Sequence, residues 1–151
     1  MPYQIDIQNA TQGSLPVTND DLVRWVALTL EPSQPRAEVT LRMVESDEMI
    51  QLNGTYRNQA KTTNVLAFPS VLPKGITLDY PFLGDLVICP AVLQEESIRF
   101  EKSLAAHWAH IVIHGILHLL GYDHIIESDE RIMQAKEITI LAQLGFENPY
   151  E

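Results

Sequence analysis

The stretch AEVTLRMV, residues 37–44, alternates apolar and polar side chains in the way that a half-buried β-strand does. Successive side chains of a strand point to opposite faces, so the two kinds of residue separate. Val39, Leu41 and Met43 fall on one face, and Glu38, Thr40 and Arg42 fall on the other. The stretch therefore predicts a strand with one face in the core.

Helix and strand signals alternate on both sides of this stretch. Residues 3–8 alternate as a further strand, and Thr18, with an acid three residues on, opens a helix that runs to about Leu30. After the strand, a short helix is predicted from Ser46 to about Leu52, ended by the pair Asn53-Gly54.

The second half of the chain adds two apolar strands and then helices. The strands are predicted at 64–68 and 84–89, separated by a loop that contains proline and glycine. Three helices follow, near 92–98, through about Leu120, and from 128 to about 144. These elements predict a single α/β (α+β) domain over residues 1–151, with about four strands in a mixed sheet packed with about five helices.

The charge of the chain is strongly negative but unevenly distributed. A net charge of −10 and a pI near 4.8 argue against charge-driven binding to nucleic acid over the whole surface, and DNA is not expected as a partner. Between Glu48 and Asp79, however, there is no acidic residue, and this gap contains Arg57, Lys61 and Lys74. On charge alone, an anion-binding face and a solvated loop are equally good interpretations.

The N-terminus, the apolar segments and the cysteine content indicate where in the cell the protein is expected. The N-terminus MPYQIDIQNA does not resemble a secretory signal, and no apolar segment reaches the roughly 18 residues of a membrane helix. Cys89 is the single cysteine, which fits the reducing cytosol. We expect a soluble, cytoplasmic protein without a membrane partner.

The segment HGILHLLGYDH, residues 114–124, contains three of the five histidines. On a helix, His114 and His118 lie about 40° apart around the axis and one turn apart along it, which allows both imidazoles to bind one metal ion. Gly121 permits the helix to end with a positive φ, so that the turn can bring His124 back to the pair. Three nitrogen ligands and an open position are the usual arrangement of a catalytic zinc site. The alternative is a set of ordinary helix histidines.

Two features limit what such a metal site does. The spacing is also that of the metzincin proteases, but Gly115 stands where those enzymes carry the glutamate that serves as general base. Peptide hydrolysis by the usual route is therefore not expected, although a metzincin-like peptidase or amidase remains an alternative. His107 and His110, further up the same helix, are interpreted as structural residues or as partners of the ligands.

Three segments resemble one family. The block HWAHIVIHGILHLLGYDH, residues 107–124, is similar to the signature of the bacterial YbeY endoribonucleases, which are metal-dependent proteins of ribosomal RNA maturation. LNGTYRNQAKTTNVLAFP, residues 52–69, and LGDLVICP, residues 83–90, agree as well. With the C-terminal GFENPY, the resemblance extends over essentially the whole chain.

This resemblance implies a function and a set of residues. It implies one zinc ion per chain, held by His114, His118 and His124, and a functional arginine at Arg57. It implies a single-strand-specific endoribonuclease of the cytoplasm that acts in ribosomal RNA maturation, including the small-subunit 3′ end, and in ribosome quality control. RNA and the ribosome would be its partners, with a small-subunit ribosomal protein or an assembly GTPase as a further candidate. A non-catalytic assembly factor with a structural metal is the remaining alternative.

The chain departs from the family pattern in the segment before and along a predicted strand. The usual PTDVLSFP appears here as TTNVLAFP, residues 62–69, so Asn64 replaces an aspartate and Ala67 replaces a serine. If that aspartate contributes charge to the active cleft, this chain lacks the contribution.

Overall fold

A computed structural model of the chain describes residues 2–70, 81–122 and 127–151. Within these ranges the chain forms four strands and five helices, as its sequence predicts. They are β1 (Tyr3–Asn9), α1 (Asn19–Leu30), β2 (Ala37–Met43), α2 (Ser46–Arg57), β3 (Val65–Pro69), β4 (Phe82–Ile88), α3 (Pro90–Arg99), α4 (Leu104–Leu119) and α5 (Glu127–Gln143). The predicted loop between β3 and β4 lies largely outside the described residues.

The four described strands form one mixed sheet in the order β1-β2-β4-β3. The strands β1, β2 and β4 run parallel, whereas β3 pairs antiparallel with β4 and forms an edge of the sheet. The alternating strand β2 lies inside the sheet, where Leu41 is opposite Ile7 on one side and Leu86 on the other. This arrangement confirms the predicted α/β class and places β3 at an edge that a ligand can reach.

Helices cover both faces of the sheet. The main core lies against α1 and α4, and α4 buries Trp108 and most of its apolar residues there. A smaller apolar cluster, built around Met49 of α2 and Val87 of β4, covers the other face. None of the described helices combines the length and apolar character needed to cross a bilayer.

Local capping signals explain several boundaries. Thr18 and Asp21 form the predicted capping box at the start of α1, since the Asp21 amide donates to the Thr18 hydroxyl at 3.0 Å. At the end of α4, the amides of Gly121 and Tyr122 donate to the carbonyls of His118 and Leu117, which is a Schellman motif. Gly121 has the expected positive φ of 101°, so the predicted break after the second histidine is confirmed.

The predicted end of α2 at Asn53-Gly54 is wrong. The helix continues through both residues to Arg57, and Asn58 is the residue that adopts the left-handed conformation, with a φ of 55°. Asn53 is buried, and its amide donates to the Lys61 carbonyl at 2.9 Å. Tertiary contact therefore overrides the local stop signal, and Arg57 lies in a helical turn rather than in a loop.

The packing of α4 on β4 explains why a glycine fits at position 115, which the sequence does not reveal. It lies where α4 crosses β4, and a Cβ built on it would collide with Cδ1 of Leu86 and lie 2.8 Å from Cδ2. Leu86 is fully buried, so its side chain has little room to move away. The glycine therefore sets the close approach of the histidine helix to the sheet.

Replacing Gly115 by alanine should lower the free energy of unfolding by about 1–2 kcal/mol, because overpacking outweighs the roughly 1 kcal/mol gain in helix propensity. Chemical denaturation measures this change. In a Leu86→Ala background the same substitution should become neutral or stabilising, since the colliding atoms are gone. Gly54→Ala is the matched control, because a Cβ there meets Ala60 at an ordinary 3.6 Å. Equal effects of Gly115→Ala in both backgrounds would contradict the packing explanation.

Candidate metal centre and RNA cleft

The two histidines His114 and His118 of α4 face each other through their Nε2 atoms. Nε2 of His114 lies 3.1 Å from Nε2 of His118, and the ring centroids are 4.6 Å apart. Two nitrogens that bind the same tetrahedral zinc ion at 2.0–2.1 Å are about 3.3 Å apart. The two imidazoles therefore have the separation and convergence that two ligands of one zinc ion require.

A buried carboxylate fixes the orientation of the first histidine. Oε1 of Glu137, on α5, lies 2.6 Å from Nδ1 of His114, and the Glu137 side chain is 0% exposed. The Tyr150 hydroxyl donates to the other carboxylate oxygen. Nε2 of His110 lies 3.5 Å from Oε1 of Glu137 and 3.1 Å from the Tyr150 hydroxyl. Glu137 thus connects the C-terminal residues to the histidine pair.

The charge of Glu137 determines which nitrogen of His114 is available. Burial by itself would raise the pKa of the Glu137 carboxyl, but hydrogen bonds from His110, His114 and Tyr150 outweigh it and hold the pKa at about 2. Burial and the Glu137 carboxylate together raise the pKa of the Tyr150 phenol, so it remains a donor. An ionised Glu137 accepts a hydrogen bond from Nδ1–H of His114, so Nε2 is the ring nitrogen that faces His118.

Sequence reasoning did not find Glu137 or Tyr150. A signal was present, because Glu137 lies on the same side of α5 as Met133, Ile140 and Leu141, which are all buried. An acidic side chain within the apolar stripe of a helix is buried, and its burial costs free energy unless it has a polar partner. The partner cannot be identified without knowing how α5 packs on α4.

The other two described histidines also have polar contacts. Nε2 of His107 lies 2.9 Å from Oε1 of Glu96 on α3, and His107 is buried. Burial lowers the pKa of His107, and the Glu96 carboxylate offsets this only in part. His110 contacts Glu137 and Tyr150, as described above. His107 therefore joins α3 to α4, whereas His110 belongs to the surroundings of His114.

Arg57 and the histidine pair open into the same cleft. This cleft has a volume of about 490 Å³ and lies between α4, the end of α2 and the edge strand β3. The Arg57 guanidinium donates to the Ala67 carbonyl at 2.8 Å and lies 5.3 Å from the ring centroid of Phe68. Among the described residues, no carboxylate lies within ion-pair distance of Arg57. Its remaining donors are therefore open to an anion in the cleft.

Asn64 and Ala67, which differ from the family pattern, line this cleft. Asn64 donates to the Glu96 carboxylate, at 3.2 and 3.4 Å from its two oxygens. An aspartate at position 64 would instead set two carboxylates against each other. Ala67 holds Arg57 through its backbone carbonyl, which any residue would provide. The loss of the serine hydroxyl therefore leaves the arginine contact unchanged.

The predicted third ligand, His124, lies outside the described residues. Within the described ranges, no group of three or more His, Cys, Asp or Glu side chains is arranged to hold a metal ion. The structure therefore brings His114, His118 and Arg57 together in one cleft, and the role of His124 stays a prediction.

The fold and this cleft define a small α/β protein in which a convergent histidine pair shares a cleft with an arginine. The family described as Endoribonuclease YbeY matches residues 6–145. The chain is 54% identical, over 100% of its length and 96% of theirs, to the proteins named Endoribonuclease YbeY from Legionella pneumophila strains Corby, Lens and Paris. It is similar to the solution structure of TM1509 from Thermotoga maritima, with a TM-score of 0.66, 26% identity, and coverage of 93% and 89% of the two chains. The chain belongs to the YbeY endoribonuclease family.

Proposed function

We propose that this chain is a zinc-dependent endoribonuclease that cuts single-stranded RNA in the maturation and quality control of ribosomes. Membership of the YbeY family makes it an endoribonuclease that acts in ribosomal RNA processing. The observation that carries the metal part is the 3.1 Å approach of the His114 and His118 Nε2 atoms in the cleft that Arg57 also lines. His124 is the proposed third ligand, and one zinc ion per chain is expected.

The described residues have separate roles in this proposal. Zinc, when bound, supplies Lewis acidity that lowers the pKa of a coordinated water to about 7 and polarises a phosphoryl oxygen. Glu137 accepts a hydrogen bond from Nδ1 of His114 and holds its Nε2 toward the ligand position. The Arg57 guanidinium binds the phosphate and stabilises the charge that builds on its oxygens during cleavage.

The peptidase alternative has no support at position 115. A glutamate there would have to start from a Cβ that collides with Leu86, so the residue that metzincin-like proteases use as general base does not fit this packing. Gly115 itself has no side chain to accept a proton. The peptidase alternative would therefore need a general base from another position.

The charge of the chain bears on how it meets its substrate. A net charge of −10 disfavours charge-driven binding of RNA to the chain as a whole, and the acid-free stretch that contains Arg57 is the candidate for local attraction. We expect modest affinity for free RNA and propose that the ribosome presents the substrate in the cytoplasm, through a small-subunit ribosomal protein or an assembly GTPase. Tight, sequence-selective binding to free RNA without any partner would count against this part.

The proposed function is tested by incubating the zinc-loaded protein with labelled ribosomal RNA and with intact ribosomes. Elemental analysis of the same preparation should give about one zinc ion per chain. We expect cuts in single-stranded regions, more efficient on ribosomes than on free RNA. No cleavage by a preparation of verified zinc content would refute the nuclease assignment, and metal content near zero in protein purified without chelator would refute the zinc site.

Replacing Glu137 by glutamine should weaken zinc binding by about 10–100-fold, because the neutral amide no longer favours the His114 tautomer with a free Nε2. Competition with a fluorescent chelator measures this change, and circular dichroism checks that the variant is folded. Glu147→Gln is the matched control, since it removes one charge from an exposed carboxylate near the same end of the chain. A zinc affinity within twofold of the wild type in Glu137→Gln would contradict the orienting role.

A further inference from the structure

Tyr56 is an exposed aromatic residue beside the cleft. It lies in the last turn of α2 and is 60% exposed. The left-handed Asn58 ends the helix directly after Arg57, so Tyr56 and Arg57 are held in a defined turn. Its ring is therefore accessible to a ligand that lies along the cleft.

Phe68 supports both Tyr56 and Arg57. The Tyr56 and Phe68 rings meet edge to face, with centroids 5.3 Å apart and planes inclined by 72°. The Arg57 guanidinium carbon lies 5.3 Å from the centroid of the same Phe68 ring. Phe68 directly follows Ala67, whose carbonyl holds Arg57 at the cleft. The three side chains therefore form one unit, with Arg57 in the cleft and Tyr56 exposed beside it.

We propose that Tyr56 stacks a base of the RNA strand, next to the phosphate that Arg57 binds. This inference rests on the proposed function. Proteins that hold single-stranded RNA combine cationic contacts to the backbone with exposed aromatic rings on which bases stack. Tyr56 and Arg57 supply these two contacts from adjacent positions of one helix turn. Stacking of this kind accepts any base and requires that the base be unpaired, so it selects single-stranded RNA without reading its sequence.

The stacked base would keep the strand in register with the histidine pair. Arg57 provides charge for one phosphate, but a charge contact alone leaves the strand free to rotate about it. A base held on the Tyr56 ring removes that freedom. Loss of the ring should therefore raise KM more than it lowers kcat, because the contact is made equally in the ground state and in the transition state.

The test uses the zinc-loaded full chain and a single-stranded 2′-O-methyl RNA with 2-aminopurine at successive positions. Fluorescence of this base falls when it stacks on an aromatic ring. We expect one or two positions to be quenched by the wild type and by Tyr56→Phe. In Tyr56→Leu the quenching should disappear and the RNA Kd should rise about 10-fold. Undiminished quenching by a folded Tyr56→Leu protein would overturn the proposal.

Phe100 provides a matched control. It is 48% exposed and carries Arg99 over its ring at 4.9 Å, so it repeats the combination of aromatic ring and arginine on α3, where it contacts His107 rather than the cleft. Phe100→Leu should leave both quenching and Kd unchanged. If it abolishes quenching as Tyr56→Leu does, the signal is not specific to Tyr56 and the proposal fails.

Cleavage of unmodified RNA of the same sequence separates this inference from the proposed function. Cleavage without Tyr56-dependent quenching overturns the stacking role and leaves the nuclease assignment intact. Tyr56-dependent quenching without cleavage supports stacking and overturns the nuclease assignment. Absence of any RNA binding by the wild type overturns the stacking proposal, and cleavage of intact ribosomes then decides the nuclease assignment.

Discussion

Replacing His114 and His118 together by alanine should remove bound zinc and lower RNA cleavage by about 10³-fold or more. The Nε2 atoms of this pair are 3.1 Å apart, so the double substitution removes both described nitrogens that converge on the proposed metal position. The Lewis acidity of a catalytic metal contributes several kcal/mol to the transition state, and about 4 kcal/mol corresponds to a factor of 10³ in rate. Elemental analysis and cleavage of labelled RNA measure the two effects.

Two controls make this result specific. His107→Gln removes a histidine from the same helix, where it bonds Glu96 rather than facing the cleft, and should retain zinc. The melting temperature of each variant, measured with and without chelator, checks whether metal binds the folded chain through this pair. Chelation should lower the melting temperature of the wild type by mass action and leave that of the double variant unchanged. A double variant that still holds one zinc per chain would contradict the assignment.

Parts of this fold follow from local pattern. The alternation in residues 37–44 and the capping box at Thr18 predict β2 and the start of α1, because both depend on neighbouring residues only. The histidine spacing predicts the convergence of His114 and His118 for the same reason, since both lie on one helix. These are the features that short-range geometry determines.

Other parts depend on contacts between distant segments. The end of α2 cannot be located from Asn53-Gly54, because the helix runs on to Arg57 and the Asn53 side chain bonds the Lys61 carbonyl beyond the helix end. The Glu137 contact to His114 joins residues 23 positions apart on two helices. Local patterns therefore identified the candidate ligands, whereas the carboxylate that orients one of them became visible only in the packed structure.

Gly115 illustrates the same distinction in one residue. In the sequence it is informative because a metzincin glutamate is absent, which argues against peptide hydrolysis. In the structure it is required because Leu86 occupies the space that a side chain would need. The sequence shows that the general base of a zinc protease is absent at this position, and the structure shows that Leu86 fills the space beside the glycine.

Arg57→Ala should lower kcat for RNA cleavage by about 10²–10³-fold while zinc content and stability stay at wild-type values. The guanidinium is exposed and bonds only the Ala67 carbonyl among the hydrogen-bond acceptors of the described residues, so its loss leaves no buried group unpaired. Its proposed contact is with phosphate oxygens on which charge builds in the transition state, and loss of such a contact affects kcat. Single-turnover cleavage at saturating RNA measures this directly.

Arg57→Lys and Arg24→Ala determine whether charge or geometry carries the effect. Lysine keeps the charge but cannot make two parallel hydrogen bonds, so Arg57→Lys should recover only part of the lost rate. Arg24→Ala removes the same charge from an exposed position on α1 and should leave cleavage unchanged. Arg57→Ala should also reduce the slope of log affinity against log salt by about one, as expected for one lost phosphate contact. Full cleavage activity of Arg57→Ala would refute the phosphate role. A strain that carries Arg57→Ala and keeps normal function in cells would favour a non-catalytic assembly factor, whereas one that behaves like a deletion would count against it.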